Sequence, residues 1–355
     1  MRNARPKHRP TLVVTLAALA AAALAGCGLT SPTGAASGAS AGTAVEPVGY
    51  SALFLQDPAQ SAMVRIFESE AQRRGLQTLS PTSANSDASK QDADIRNLVN
   101  AGAKSLFVIP ADPQAVVPAI RYATERGVRV VTLMLGPSGG PTTVSMQVDN
   151  TQIGEQACRY LGAKLAGTGT VLQVQGDMRS TNAQKRQQGF DACMTANYPG
   201  ITVLTKTGGR WDPAKAAEST AGALSTDPGI RGIFLHSDGY QPSVHQVLEQ
   251  RGRVTAPDAP DHVWTVSVDG TPAALDAIRA GELDASVSQP ADQFVLQGLE
   301  YLQALADQRE IAVGPTGHGS TVELTGDGYP ADLFPPLVVD AANVDDAALW
   351  ANQAG

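Results

Sequence analysis

The amino-acid sequence predicts an α/β protein built as two doubly wound lobes, each around an open, parallel sheet. Short runs rich in Val, Ile and Leu stand at SLFVIP (105–110), VRVVTLML (128–135), TVLQVQG (170–176), ITVLTK (201–206), RGIFLHSD (231–238) and VWTVSVDG (263–270). Amphipathic stretches lie between them, among them Ala59 to Arg74, Lys90 to Asn100, Ala115 to Arg126 and Ala214 to Leu224. Apolar runs bounded by turns and alternating with helices read as repeated strand–helix units whose strands pair in parallel. RRG (73–75), ERG (125–127) and QRG (250–252) each put a glycine where a helix should stop. The stretch from residue 48 to residue 355 is too long for one small domain and suits two lobes.

The elements follow in order from the first residue. Arg2, Arg5, Lys7 and Arg9 make a basic head, and Thr11 to Ala25 is an apolar run of signal-peptide length, too short to span a membrane comfortably. It closes on LAGC, Leu24 to Cys27, which resembles a bacterial lipobox. There the cysteine sulfur takes a diacylglycerol and becomes the new N-terminus, and two acyl chains hold a protein to a bilayer. The alternative is an ordinary secretory signal with an incidental cysteine. Removing residues 1–26 leaves 22 basic residues against 34 acidic, or −12, which argues against nucleic acid or an anionic membrane surface as partner. Gly28 to Pro47 is Gly, Ala, Ser and Thr with almost no large apolar side chain and reads as a tether. GASAG (38–42) within it matches a hydrolase G-x-S-x-G, without the strand and helix that such an elbow requires.

Catalytic chemistry is thin. His8, His236, His245, His262 and His318 show no metal-ligand spacing, no phosphate-binding loop is present, and HSD (236–238) cannot be a triad because neighbours on a strand face opposite ways. With Cys27 lipidated, Cys158 and Cys193 remain, an even pair in an oxidising exterior. They make either a disulfide or two small core residues. The stretch 314–336 reads as a surface excursion before the last crossing strand.

DASKQDADIRNLVNAGAKSLFVIPADPQAVVPAI (87–120), VDNTQIGEQA (148–157), QKRQQGFDA (184–192), GGRWDPAKA (208–216), VSVDGTPAALDAIRAGELDASVSQPADQ (266–293) and VVDAANVDD (338–346) together resemble the ribose-binding family of periplasmic-type solute receptors. Each motif is weak alone; six in order are strong. Repressors that share the fold open on a DNA-reading helix pair, where this chain has a signal and tether. The resemblance implies the type I periplasmic binding protein fold, with ligand held in a cleft between lobes that close about a hinge. The expected lobes are 48–148 with 290–336 and 149–289 with 337–355, after a signal at 1–26 and a tether at 27–47. The three crossings should fall near Gln147–Asn150, near Gln289–Pro290 and at Leu337 to Asp340.

By position in the family motifs, Arg186, Asp269 and Gln289 match residues that bond sugar hydroxyls. Trp211 matches an aromatic ring set against the sugar's apolar face, and Ser237 takes the place of a common asparagine. Structural alternatives stand beside these: Asp269 capping the helix at Thr271–Arg279, Arg186 as a surface charge. Asp149 and Asn150 read as hinge or helix cap. The N-lobe departs from the pattern. QDPAQ (56–60) keeps Asp57 but has Ala59 and Gln60 for paired aromatics, and Met134 and Leu135 stand where relatives carry an Asp-Arg pair. Two hydroxyl clamps have become apolar, which implies a ligand polar on one edge and apolar on the other. The expectation is a monomeric, extracytoplasmic, lipid-anchored receptor that delivers a sugar or sugar-like molecule to the permease subunits of an ABC importer. It works without cofactor or metal and is not an enzyme. The alternative is a sensory module that presents its closed shape to a signalling receptor.

Overall fold

The computed structural model describes residues 45–353. The lipobox cysteine Cys27, the signal and most of the tether lie outside them. The chain runs β1 (Val48–Ala52), α1 (Pro58–Arg74), β2 (Thr82–Ser83), α2 (Ala88–Asn100), β3 (Ser105–Val108), α3 (Val117–Thr124), β4 (Arg129–Leu133) and β5 (Val144–Val148). Next come α4 (Asn150–Lys164), β6 (Thr168–Gln175), α5 (Thr181–Asn197), β7 (Gly200–Thr207), α6 (Pro213–Thr226), β8 (Ile230–Leu235), a 3₁₀ turn at Asp238–Tyr240 and α7 (Gln241–Gln250). They continue with β9 (Trp264–Asp269), α8 (Pro272–Ala280) and β10 (Ala285–Ser288). The last elements are α9 (Ala291–Ala306), β11 (Gly314–Pro315), β12 (Thr321–Leu324), β13 (Pro330–Phe334), β14 (Leu337–Asp340) and α10 (Trp350–Gln353).

Two sheets result. The first has the order β11-β12-β13-β5-β4-β3-β1-β2, and the second β14-β10-β9-β8-β6-β7. Pairing is parallel from β2 across to β13 and from β7 across to β10; β11, β12 and β14 join antiparallel at the edges. Helices cover both faces of each sheet, so the central strands are buried on both sides and carry mainly apolar or small polar residues. Under the first sheet Tyr50, Phe67 and Phe107 pack with ring centres 5.4–6.1 Å apart, and Ile95, Leu98 and Ile120 of α2 and α3 cover the other face. In the second, Phe190 of α5 stacks on Phe234 at 4.7 Å, while Leu172, Ile233 and Leu235 meet α6 and α7.

Local chemistry sets the element ends. Asp57, Asp87, Asp149 and Asp212 each accept backbone N–H groups at a helix start, satisfying donors that the first turn leaves free. The glycines of RRG, ERG and QRG take φ of 69°, 77° and 64°, the left-handed region in which a Cβ is penalised.

The chain leaves the first sheet after Val148, returns through Gln289–Pro290 and leaves again through Pro335–Pro336. The first and third passages are bonded together, Asp149 N–H donating to the Phe334 carbonyl at 2.9 Å. Leu337 to Asp340 is strand β14 of the second sheet, and the two prolines before it form the link. The segment 314–336 is not a surface excursion. It forms β11, β12 and β13, buries Val322, Tyr329, Ala331 and Phe334, and seats β13 in parallel against β5. Apart from Gly314 in β11 its glycines sit in the turns, and the apolar residues between them were enough to make strands.

Helices α4 and α5 meet backbone to backbone. A Cβ on Gly154 would lie 2.1 Å from the Arg186 carbonyl oxygen, and one on Gly189 would lie 2.0 Å from that of Thr151. The Cys158–Cys193 disulfide, with Cα atoms 6.1 Å apart, fastens the same pair of helices one turn further along.

Candidate ligand-binding site

Open parallel sheets present their functional loops at the carboxyl ends of the strands. Asp57 follows β1, Met134 and Leu135 follow β4, Trp211 follows β7, and Ser237 follows β8. Asp269 ends β9, Gln289 follows β10, and Arg186 lies on the second turn of α5. Every candidate residue therefore sits at the same end of its sheet.

Four of them are joined. Asp269 Oδ1 accepts from Gln289 Nε2 at 2.6 Å, and its Oδ2 accepts from Ser237 Oγ at 2.8 Å. Arg186 Nη2 lies 3.7 Å from Asp269 Oδ1. The guanidinium is 3% exposed and held from behind: Nε donates to Asn150 Oδ1 at 2.8 Å, and Nη1 donates to the His236 carbonyl. It is no surface charge. Asp269 is no helix cap either, since Thr271 Oγ1 accepts the Ala274 N–H at the start of α8. Trp211 borders the group, its ring centre 5.8 Å from the Arg186 guanidinium carbon and 6.4 Å from the Tyr240 ring on which it stacks.

The first lobe contributes differently. Asp57 caps α1 by accepting the Gln60 N–H at 2.9 Å. Burial pushes its carboxyl up to about 6, and the negative charge of Asp269 adds to the rise. Met134 is half-buried and its carbonyl accepts from Asn182 Nδ2 of α5 at 3.2 Å, a hydrogen bond between the lobes. Leu135, also half-buried, shares that turn, its N–H on the Leu133 carbonyl at 2.6 Å. Among the described residues no hydrogen bond ties Leu135 or the Met134 side chain to the Arg186 group.

Backbone strain concentrates here. Of seven described non-glycine residues with positive φ, three are Met134 (62°), Trp211 (59°) and Asp269 (124°). Such conformations cost on the order of 1–3 kcal/mol each and persist where the surroundings over-determine them, commonly at ligand sites.

Sequence reasoning missed three supports. Asn150, read as hinge or cap, orients Arg186 and also donates to the Val148 carbonyl at 3.1 Å. Asp238, directly behind Asp269, accepts from Ser267 Oγ, Ser286 Oγ (2.8 Å), Thr271 N–H (2.8 Å) and Thr271 Oγ1 (3.0 Å). Burial, then Asp269, pushes its carboxyl up to about 7. His236 is fully buried beside Phe234 with both ring nitrogens unpartnered, and burial with the Arg186 charge holds its pKa well below the ordinary value. No local pattern marks these residues; Asn150 and the His236 carbonyl meet Arg186 across 36 and 50 positions, and the donors to Asp238 lie 29 to 48 positions away.

Two α/β lobes, three passages between them and a polar cluster at the carboxyl ends of the second sheet's strands define a two-lobed solute-binding protein. The chain belongs to the family of the periplasmic binding protein domain, whose model matches residues 48–310. It is 26% identical over 242 residues to the ribose import binding protein RbsB of Bacillus subtilis (68% of this chain, 75% of that protein). The Escherichia coli protein of the same name is 28% identical over 234 residues (66% and 75%). Among solved structures, a glycerol-bound ABC transporter solute-binding protein from Mycobacterium smegmatis superposes with a TM-score of 0.70 at 23% identity, covering 84% of this chain and 94% of that one. The myo-inositol binding protein of Caulobacter gives 0.70 at 21% identity, covering 85% and 95%. The fold is thus the type I periplasmic binding protein fold, and the family binds solutes rather than transforming them.

Proposed function

We propose that this protein captures a sugar or polyol for an ABC importer, from the outer face of a membrane to which lipidated Cys27 tethers it. The Arg186–Asp269–Gln289–Ser237 group carries the reading. Charge-assisted hydrogen bonds from carboxylate and guanidinium to neutral hydroxyls are worth roughly 1.5–3 kcal/mol each, and the Trp211 ring suits the C–H face of a sugar. Relatives named for ribose import, and a xylitol-binding protein of Mycolicibacterium smegmatis 24% identical over 234 residues (66% of this chain, 65% of that protein), support the ligand class.

The working cycle follows from the hinge. Ligand enters between open lobes, bonds first to the pre-assembled second-lobe group, and closure brings Asp57 and the Met134 turn over it. The Asn182–Met134 bond belongs to the closed form and holds it. That closed shape is what permease subunits would recognise. A fully hydroxylated pentose would leave hydroxyls against Met134 and Leu135, and each unpaired buried polar group costs about 1–3 kcal/mol. The ligand is therefore polar on one edge and deoxy, methylated or otherwise apolar on the other.

Calorimetry tests this with ribose, galactose and glucose alongside deoxy-sugars, methylated polyols and nucleosides. A ligand with a reduced-hydroxyl edge should bind more tightly than ribose. Absence of saturable binding by any sugar or polyol would overturn the function; submicromolar ribose binding would overturn the asymmetry.

A further inference from the structure

Resting on the reading of this cleft as a sugar or polyol site, we propose that its ligand carries a protonated amino group, bound between Asp57 of the first lobe and Asp269 of the second. The charge inventory is the starting point. Asp57 and Asp269 stand at the carboxyl ends of their strands, in lobes that the Asn182–Met134 bond joins at those same ends; Asp238 follows β8 next to Ser237, and among the described residues the cation paired with Asp269 is Arg186. The N-terminus of α1 adds roughly half a positive charge at Asp57. Three carboxyls are thus set against one guanidinium and a helix end. The turn after β4, which could supply a second cation, supplies Met134 and Leu135 instead.

The hydrogen-bond inventory points the same way. Asp238 is filled by four internal donors. Arg186 has given Nε to Asn150 and Nη1 to the His236 carbonyl, and Nη2 is turned toward Asp269. What remains beside Asp269 is an acceptor: Gln289 is 2% exposed, its Nε2 bonds Asp269, and its Oε1 has no partner. A hydroxyl offers one donor and brings acceptor lone pairs of its own. An ammonium offers three donors, no acceptor and the missing charge. It matches two carboxylates and a buried amide oxygen.

The titration behaviour agrees with this geometry. In the ligand-free protein burial raises both Asp57 and Asp269, Arg186 opposing the rise at Asp269 and Asp269 reinforcing it at Asp57. A bound cation would let both ionise.

The test uses the mature chain and matched pairs that differ by one group: glucose and glucosamine, galactose and galactosamine, myo-inositol and an aminocyclitol. Calorimetry should find at least one amino compound bound tenfold or more tightly than its hydroxyl partner. Asp57→Asn, which keeps a capping side chain on α1, should shrink that preference tenfold or more. Thermal unfolding of the variant checks that it is folded; should it not fold, the wild-type preference alone decides. Neutral members that bind as well as their amino partners in every pair would overturn the inference and leave the sugar reading standing, as would a preference untouched by Asp57→Asn. If no member of any pair binds, the sugar reading fails and this inference falls with it.

Discussion

Removing the Cys158–Cys193 bridge, by Cys→Ala at both positions or by reduction, should destabilise the second lobe markedly while leaving its site chemistry in place. The bridge closes a loop of 35 residues. Constraining a loop of that length removes about 13 cal/mol/K of entropy from the unfolded chain, or about 4 kcal/mol at 25 °C. For a unit of 150–250 residues each kcal/mol moves the midpoint by about 2–4 °C, so the transition should fall by roughly 8–16 °C. The geometry raises the stakes locally, because the same two helices meet at Gly154 and Gly189 and hold Asn150 against Arg186. Differential scanning calorimetry of the mature protein, with and without a phosphine reductant, measures the shift, and non-reducing peptide mapping confirms the bond. A midpoint that moves by less than about 2 °C would refute the entropic argument; two freely alkylated thiols in the oxidised protein would refute the bridge.

Four further outcomes are expected. Asp57 has a folded-state pKa raised from 3.8 to about 6, so its contribution favours the folded state below about pH 4 and is lost as pH rises through 6; the stability of Asp57→Asn relative to wild type should therefore increase between pH 4 and pH 7 in urea titrations, and a constant difference counts against a buried Asp57. Trp211 should report ligand arrival by a fluorescence change that Trp211→Phe abolishes; Trp264 and Trp350 retaining the full signal would move the site elsewhere. Gly154→Ala forces a methyl to within 2.1 Å of the Arg186 carbonyl and should cost 2 kcal/mol or more in chemical unfolding, as overpacking does; an unchanged midpoint would mean that α4 and α5 are less tightly apposed. Cys27→Ala should abolish incorporation of a palmitate analogue and release the protein from membranes or stall it as precursor, whereas an unlabelled, soluble wild type would remove the lipid anchor.

The fold class was legible because Val-Ile-Leu runs such as 105–110, 128–135 and 231–238 are largely buried on both faces, so burial wrote an apolar signal into the sequence; the edge strand β7 carries the same signal while half exposed. Strands β1, β5 and β10 were less visible. VGYSA, VSMQV and ASVS are fully buried yet mix small polar residues among the apolar ones, and Ser51, Ser145 and Ser286 are buried without being hydrophobic. The 314–336 segment was misread for the opposite reason: its short strands are broken up by the glycine-bearing turns 316–320 and 325–329. At the site, Arg186 and Asp269 carry their own motifs and could be named. Asn150, Asp238 and His236 act only through partners that the tertiary fold brings to them, and nothing adjacent in the chain announces such a role.

Neither sheet can be finished by an N-terminal fragment of the chain. Phe334 of β13 pairs with Val148 of β5, and Leu337 of β14 pairs with Ser288 of β10, so both sheets are completed from one short stretch near the C-terminus. A polypeptide emerging N-terminus first carries two open strand edges almost to the end of its synthesis, and such long-range pairings form slowly. Locking is deferred until the whole chain is present. If the chain crosses a membrane unfolded, late closure keeps it in a passable state, and the final segment is the step that commits both lobes at once.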